Sequence, residues 1–230
     1  MSKKPGKQPQ DHNVIEDFED ALTKTEQFIE DNKNTLLTIV AVVFVIVGGF
    51  IGFRRFIIEP KEDNAQSEMF MAERYFQQDS FRLALEGDGQ YPGFEEIIDD
   101  FGMTKSAKLA HYYAGICYLH MGEFEESIDY LKKFNVHDKL VSVVATGAIG
   151  DAYSELEEYD NAVKYYMDAA SKNPNQLTSA IYLKKAGLVY EKLEDYNKAL
   201  EVYKKIKTDF PNSSEARDIE KYITAVEVRI

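Results

Sequence analysis

"LKKAGLVYEKLEDYNKALEVYKKIKTDFP", residues 183–211, is the stretch whose reading decides the fold. Gly187 stands three residues before Tyr190. Six residues after that tyrosine comes Tyr196, three later Ala199, four beyond it Tyr203, and the stretch closes on Pro211. The same order of small and large residues occurs twice upstream. Residues 146–174 carry Gly150, Tyr153, Tyr159, Ala162, Tyr166 and Pro174, and residues 111–131 carry Gly115, Tyr118, Phe124, Ser127 and Leu131. The tyrosine-to-tyrosine steps are 35 and 37 residues. Repetition at such a period is the mark of a solenoid, in which each unit buries its apolar face on the next. Each unit reads as two antiparallel helices. They approach where a Gly or Ala lacks bulk, the aromatics fill the space towards the neighbouring pair, and the proline stops the second helix.

These three units, over 107–213, resemble the tetratricopeptide repeat, a helix-turn-helix of about 34 residues. Upstream, "AQSEMFMAERYFQQDSFRLALEG" repeats the small-then-tyrosine step as Ala72 and Tyr75. The pattern breaks at "GDGQYPG" and resumes as a helix in "FEEIIDDFGMTKSAKLA", so residues 63–106 read as a degenerate unit stretched by a loop. The tail, 214–230, is amphipathic and is expected to cover the last repeat, as the end of a solenoid requires. The predicted fold class is all-α: one N-terminal transmembrane helix followed by a repeat solenoid.

The membrane helix comes from "TLLTIVAVVFVIVGGFIGFRR", in which residues 35–53 hold no charge before Arg54 and Arg55. A helix of about twenty residues rises roughly 30 Å, the thickness of the hydrocarbon core. The run is too long for the apolar part of a signal peptide, and no small-x-small pattern follows it, so a permanent single-span anchor is expected. Gly48 and Gly52 are four apart, with Ala41 one heptad before Gly48 on the same face; small residues so spaced let a second membrane helix approach. The same spacing is common in spans that dock on nothing. Before the span, residues 1–12 read as a disordered tail. Residues 13–34 read as an amphipathic juxtamembrane helix with Val14, Phe18, Leu22 and Ile29 near one face and an acidic opposite face, suited to a partner or to extending the span rather than to anionic headgroups. Residues 54–62, with Pro60, read as a linker.

Composition narrows the function. A formal net charge of −13 opposes nucleic-acid binding. The only cysteine, Cys117, forms no internal disulfide and falls where a small apolar residue packs. His12, His111, His120 and His137 share no metal-ligand spacing, and no phosphate loop, triad order or paired-acid motif occurs. The clusters "EIIDD" and "SELEEYD" read as solvated faces. No enzyme, cofactor or metal site is expected.

What a repeat solenoid offers instead is a groove lined by its first helices. Its positions hold Tyr112, Ile116 and Leu119 in the first unit, Asp151, Ser154 and Glu155 in the second, and Lys184, Leu188 and Glu191 in the third. One end is apolar and the middle acidic, which suits apolar or basic polypeptide segments. The apolar trio reads equally well as packing between helices. Asp151 and Glu155 stand where some such domains place the Lys/Asn clamp for a C-terminal carboxylate, so that clamp is missing.

Charge leaves the topology open. Lys24 and Lys33 precede the span, Arg54, Arg55 and Lys61 follow it, and Lys3, Lys4 and Lys7 lie further out in the tail. A short acidic helix, "FIEDNKNTLL", a span ending "GGFIGFRRF" and a helix opening "DNAQSEMFMAERYF" together resemble the YfgM family, most sharply over residues 26–76. The resemblance lies in layout more than identity, and these repeats fit the consensus better than that family's degenerate ones. It implies a bacterial inner-membrane protein with its N-terminus cytoplasmic and its repeats periplasmic. It further implies an ancillary subunit of the Sec translocon, beside a membrane-anchored chaperone of prolyl-isomerase type, linking emerging client polypeptides to periplasmic chaperones. The expected partners are therefore Sec translocon subunits, that chaperone and the clients. An adaptor for cell division or outer-membrane assembly, or a receptor with cytoplasmic repeats, are the other readings.

Overall fold

The computed structural model describes residue 23 and residues 26–136 and 138–230, and it divides into two units, 1–57 and 58–230. The tail 1–12, His12, His137 and the apolar positions Val14, Phe18 and Leu22 lie outside the described residues. Residues 26–31 are helical, with Phe28 and Ile29 exposed.

The first unit contains α1, Lys33–Phe53, which is 21 residues long and has no buried residue. Its length and composition suffice to cross a membrane. Within its apolar run Thr38 donates its hydroxyl to the Asn34 carbonyl at 2.8 Å, so that polar group is matched inside the helix. Residues 54–62, expected to be a linker, are helical instead. Arg54–Ile58 form a π turn and α2 starts at Glu59, with Pro60 in its first turn. The proline has no N–H to give and its ring crowds the carbonyl four residues back, so the backbone shifts register ahead of it rather than stopping.

The second unit is a run of helical hairpins. After α2 (Glu59–Gln77) come α3 (Phe81–Glu86), α4 (Phe94–Phe101), α5 (Lys105–Met121), α6 (Phe124–Lys133), α7 (Val141–Glu155), α8 (Tyr159–Lys172), α9 (Ser179–Lys192), α10 (Tyr196–Asp209), a 3-10 turn at Glu215–Arg217, and α11 (Ile219–Glu227). The pairs α5/α6, α7/α8 and α9/α10 are the three regular hairpins, each packed on the next. Their glycines are seats for large side chains. A Cβ placed on Gly115 would lie 2.5 Å from the Leu131 Cγ, and one on Gly150 would lie 2.7 Å from the Tyr166 ring. On Gly187 it would clash with the Cε1 edge of the Tyr203 ring. The small residues Ser127, Ala162 and Ala199, twelve positions after each glycine, are wholly buried, and Ser127 gives its hydroxyl to the Gly115 carbonyl at 2.7 Å.

The motif tyrosines also close the turns. The carbonyls of Tyr75, Tyr118, Tyr153 and Tyr190 each accept the amide five residues on, at Ser80, Glu123, Glu158 and Asp195, over 2.9–3.0 Å. One residue before each donor the backbone is left-handed: φ is 55° at Asp79, 80° at Gly122, 60° at Glu157 and 57° at Glu194. This is the closing motif of a helix C-terminus, and only one of the four positions holds the glycine it favours. The degenerate repeat, 63–106, thus follows the repeat chemistry through Ala72, Phe81 and Ala84. It fails at the position for a large apolar residue, which is Asp88. There α3 has ended, and α4 supplies the missing apolar side chains through fully buried Phe94 and Ile97. The intervening loop is held by the Asp88 carboxylate, which accepts from the Tyr75 hydroxyl at 2.6 Å and from the Gln90 and Tyr91 amides at 2.9 and 2.8 Å.

Two further features tie the unit together. Glu62 in the first turn of α2 accepts from the Lys105 and Ser106 amides at 2.5 and 3.1 Å and from the Ser106 hydroxyl at 2.8 Å. It satisfies orphan donors at the start of α5 from more than forty residues away, where a negative charge suits the helix dipole. At the other end α11 lays Ile219, Ile223 and Val226 against the last hairpin.

A candidate partner groove

The groove positions are carried by α5, α7 and α9, the first helices of the regular hairpins. Leu119, Asp151, Ser154 and Glu155 line one cavity of about 490 Å³, together with Phe124 and Lys185. Tyr112 and Ile116 do not line it. Tyr112 is half-buried with its ring 5.6 Å from that of Phe134, and Ile116 is buried among Ile128, Leu131 and Ile149. Those two positions pack between helices. Lys184, Leu188 and Glu191 lie one hairpin further on: Lys184 sits 5.0 Å over the ring of Tyr222 in α11, Glu191 accepts the Tyr203 hydroxyl at 2.7 Å, and Leu188 is exposed.

The acidic middle is less acidic than the residue types alone indicate. Asp151 accepts two bonds from the Lys185 ammonium, at 2.6 and 2.8 Å, and a third from the Tyr166 hydroxyl at 2.7 Å. Lys185 lies 5.7 Å over the Tyr166 ring. Its partner is thirty-four residues away on the adjacent first helix, three short of the 37-residue step between these two units, so Lys185 reaches Asp151 from just under one helical turn before the equivalent position. Burial, then the charge of Asp151, raises the Tyr166 phenol far above its ordinary value, so it serves as a hydrogen-bond donor at any physiological pH. Glu155 remains exposed at the rim. The cavity therefore presents apolar Leu119 and Phe124, a neutralised Asp151–Lys185 pair and one exposed carboxylate. His120, which also lines the cavity, stacks flat on Phe81 with ring centroids 4.4 Å apart.

Other reactive residue types are held quiet. Cys117 is fully buried, and burial pushes its thiol up to about 12, so it is protonated and unreactive at neutral pH. His111 is depressed by burial and by Lys133, against the opposing pull of Asp99. Among the described residues no group of three or more His, Cys, Asp or Glu side chains is placed to hold a metal. On α1, Gly48 and Gly52 have open space where a side chain would stand, and Ala41 shares a shallow surface with Thr38 and Val45.

Models of the tetratricopeptide repeat match residues 109–135, 147–176 and 184–213, the three regular hairpins. No curated protein matches the chain. The chain carries tetratricopeptide repeats, which build scaffolds for protein–protein interaction.

Proposed function

We propose that this protein is a membrane-anchored scaffold that holds polypeptide segments on its repeats and carries out no chemistry on them. The observation that carries the reading is the pairing of three glycine-seated hairpins with an adjoining 21-residue apolar helix, none of whose residues is buried. A partner segment placing an apolar side chain on Leu119 and Phe124 and a basic one towards Glu155 satisfies the cavity, with Ser154 between them and Leu188 extending the contact into the next hairpin. Ala41, Gly48 and Gly52 give the span a face on which another membrane helix can dock.

The finer assignment rests on the resemblance to the YfgM family. By it the N-terminus is cytoplasmic, the repeats are periplasmic, and the scaffold is ancillary to the Sec translocon, passing emerging chains to a membrane-anchored prolyl-isomerase-type chaperone. Protease added to intact spheroplasts then degrades the repeats; protection of the repeats would reverse the topology. A photo-crosslinking residue at Ser154 or Leu188 in living cells then yields adducts with translocon subunits, the chaperone or exported chains. Adducts confined to cell-division or outer-membrane assembly proteins would move the scaffold to that machine, and the absence of any protein adduct would end the scaffold reading.

A further inference from the structure

A second cavity, of about 290 Å³, lies between α6, α7 and α8 and shares no residue with the groove cavity. Its floor is apolar: Leu131 and Ile149 are buried and Phe134 is half-buried, with Ala145 beside them. An apolar cavity of roughly 150 Å³ suffices to hold benzene, so this one has room for a large side chain and the backbone atoms that carry it. Its polar rim comes largely from α8, on which Tyr165, Asp168 and Lys172 stand at i, i+3 and i+7 and so share one face. Lys132 enters from the end of α6.

The rim has bonding capacity left over. Lys172 gives one hydrogen bond, to the Thr146 hydroxyl at 3.0 Å, and Lys132 gives one, to the Tyr153 hydroxyl at 3.0 Å, so each ammonium keeps two N–H groups. Among the described residues the Tyr165 hydroxyl and the Asp168 carboxylate have no hydrogen-bond partner. Just outside the cavity Asp129 and Lys164 add one charge of each sign. The cavity thus offers ammonium and carboxylate together above an apolar floor, and neither a bare anion nor a bare cation uses both. The repeat itself does not demand this arrangement. One unit on, at a step of 37 residues, Ala169 stands in place of Lys132, while Lys205 and Asp209 exchange the charges of Asp168 and Lys172. The corresponding cavity, about 220 Å³, keeps an apolar floor with Leu183 and Phe210 but has one ammonium only.

We propose that this cavity binds a free α-amino acid with a large apolar side chain. Lys132 and Lys172 take its carboxylate, Asp168 takes its ammonium, and the side chain lies on Leu131, Phe134 and Ile149. The volume stands at the lower bound of small-ligand sites, which suits a molecule of this size. The site is separate from the groove and from the span, and depends on the reading of neither.

The full chain in detergent micelles is dialysed to equilibrium against radiolabelled L-leucine and L-phenylalanine, with N-acetyl-L-leucine and L-leucinamide as competitors. Binding at one site per chain is expected. Both competitors should be at least about tenfold weaker than unlabelled L-leucine, since each lacks one of the two charges. Lys172→Met and Asp168→Asn, at exposed positions, should each weaken binding at least about threefold and leave the denaturation midpoint unchanged. No binding of either amino acid below about 10 mM overturns the proposal. So does N-acetyl-L-leucine competing as well as L-leucine, which would leave Asp168 without a role, or L-leucinamide doing so, which would remove the lysines. Binding unchanged in both variants would put the amino acid elsewhere on the chain and equally overturn it.

Discussion

Glycines of the repeats and glycines of the span are alike in sequence and opposite in surroundings. Gly115, Gly150 and Gly187 each have a leucine or tyrosine side chain where a Cβ would stand, whereas Gly48, Gly49 and Gly52 have nothing within 4 Å. In the repeats the absent side chain has been filled from within the chain, so those hairpins are complete. On α1 the same gap is open among the described residues, and on the anchored reading proposed above lipid or another membrane helix fills it. A small residue is thus a packing device in one region and an available surface in the other.

The largest effect that sharpens this contrast is removal of a seated side chain. Tyr203→Ala empties a fully buried site on Gly187 and also frees Glu191, and is expected to cost about 4 kcal/mol in chemical denaturation of the repeat unit. A cost under about 1 kcal/mol would mean that the hairpin closes without the seat. Next in size is Glu62→Ala, which leaves the Lys105 and Ser106 amides without their acceptor at the start of α5 and is expected to cost about 1–2 kcal/mol. Smaller still are the turns. Gly122→Ala places a side chain at φ 80° with no neighbour to clash, and should cost about 1 kcal/mol, while Glu157→Gly at φ 60° should gain somewhat less. Opposite signs at equivalent positions are the discriminating result.

The smallest expected effect is on pH dependence. The folded pKa of His111 lies below its ordinary value of 6.5, because burial and Lys133 disfavour the charged ring and Asp99 only partly offsets them. The unfolded chain therefore binds the proton more readily. Its contribution to stability is intact above 6.5 and is lost as the pH falls from there through the depressed value. His111→Phe should flatten the fall of the denaturation midpoint between about pH 7 and pH 5, and an unchanged slope would place that dependence elsewhere.

Much of this fold was legible in the spacing of small and large residues, because a seat and its occupant lie sixteen residues apart within one hairpin. The same rule extends into the degenerate repeat, 63–106, as far as Ala84. What it could not show lies across longer separations or in side-chain pairing. Glu62 as a cap for α5 is a tertiary contact with no local signature. Pro60 looked like a break, yet a proline is tolerated in the first turn of a helix, and the π turn before it removes the clash. In the groove, Asp151 looked available as an acid until Lys185 and Tyr166 were seen to occupy it, and the neighbouring Lys184, singled out by position, turns to Tyr222 instead. Asp151 and Lys185 are thirty-four residues apart where the units step by 37, so the repeat register did not reveal the pair.

The most direct test sets one glycine from each region side by side in the full chain in lipid: Gly187→Val and Gly48→Val, with the unfolding free energy of the repeat unit measured for both. Gly187→Val should lose about 3 kcal/mol because Tyr203 has nowhere to go, and Gly48→Val should lose less than about 0.5 kcal/mol. Equal losses, or a Gly187→Val protein as stable as the parent, would contradict the distinction between filled and open seats on which the scaffold reading stands.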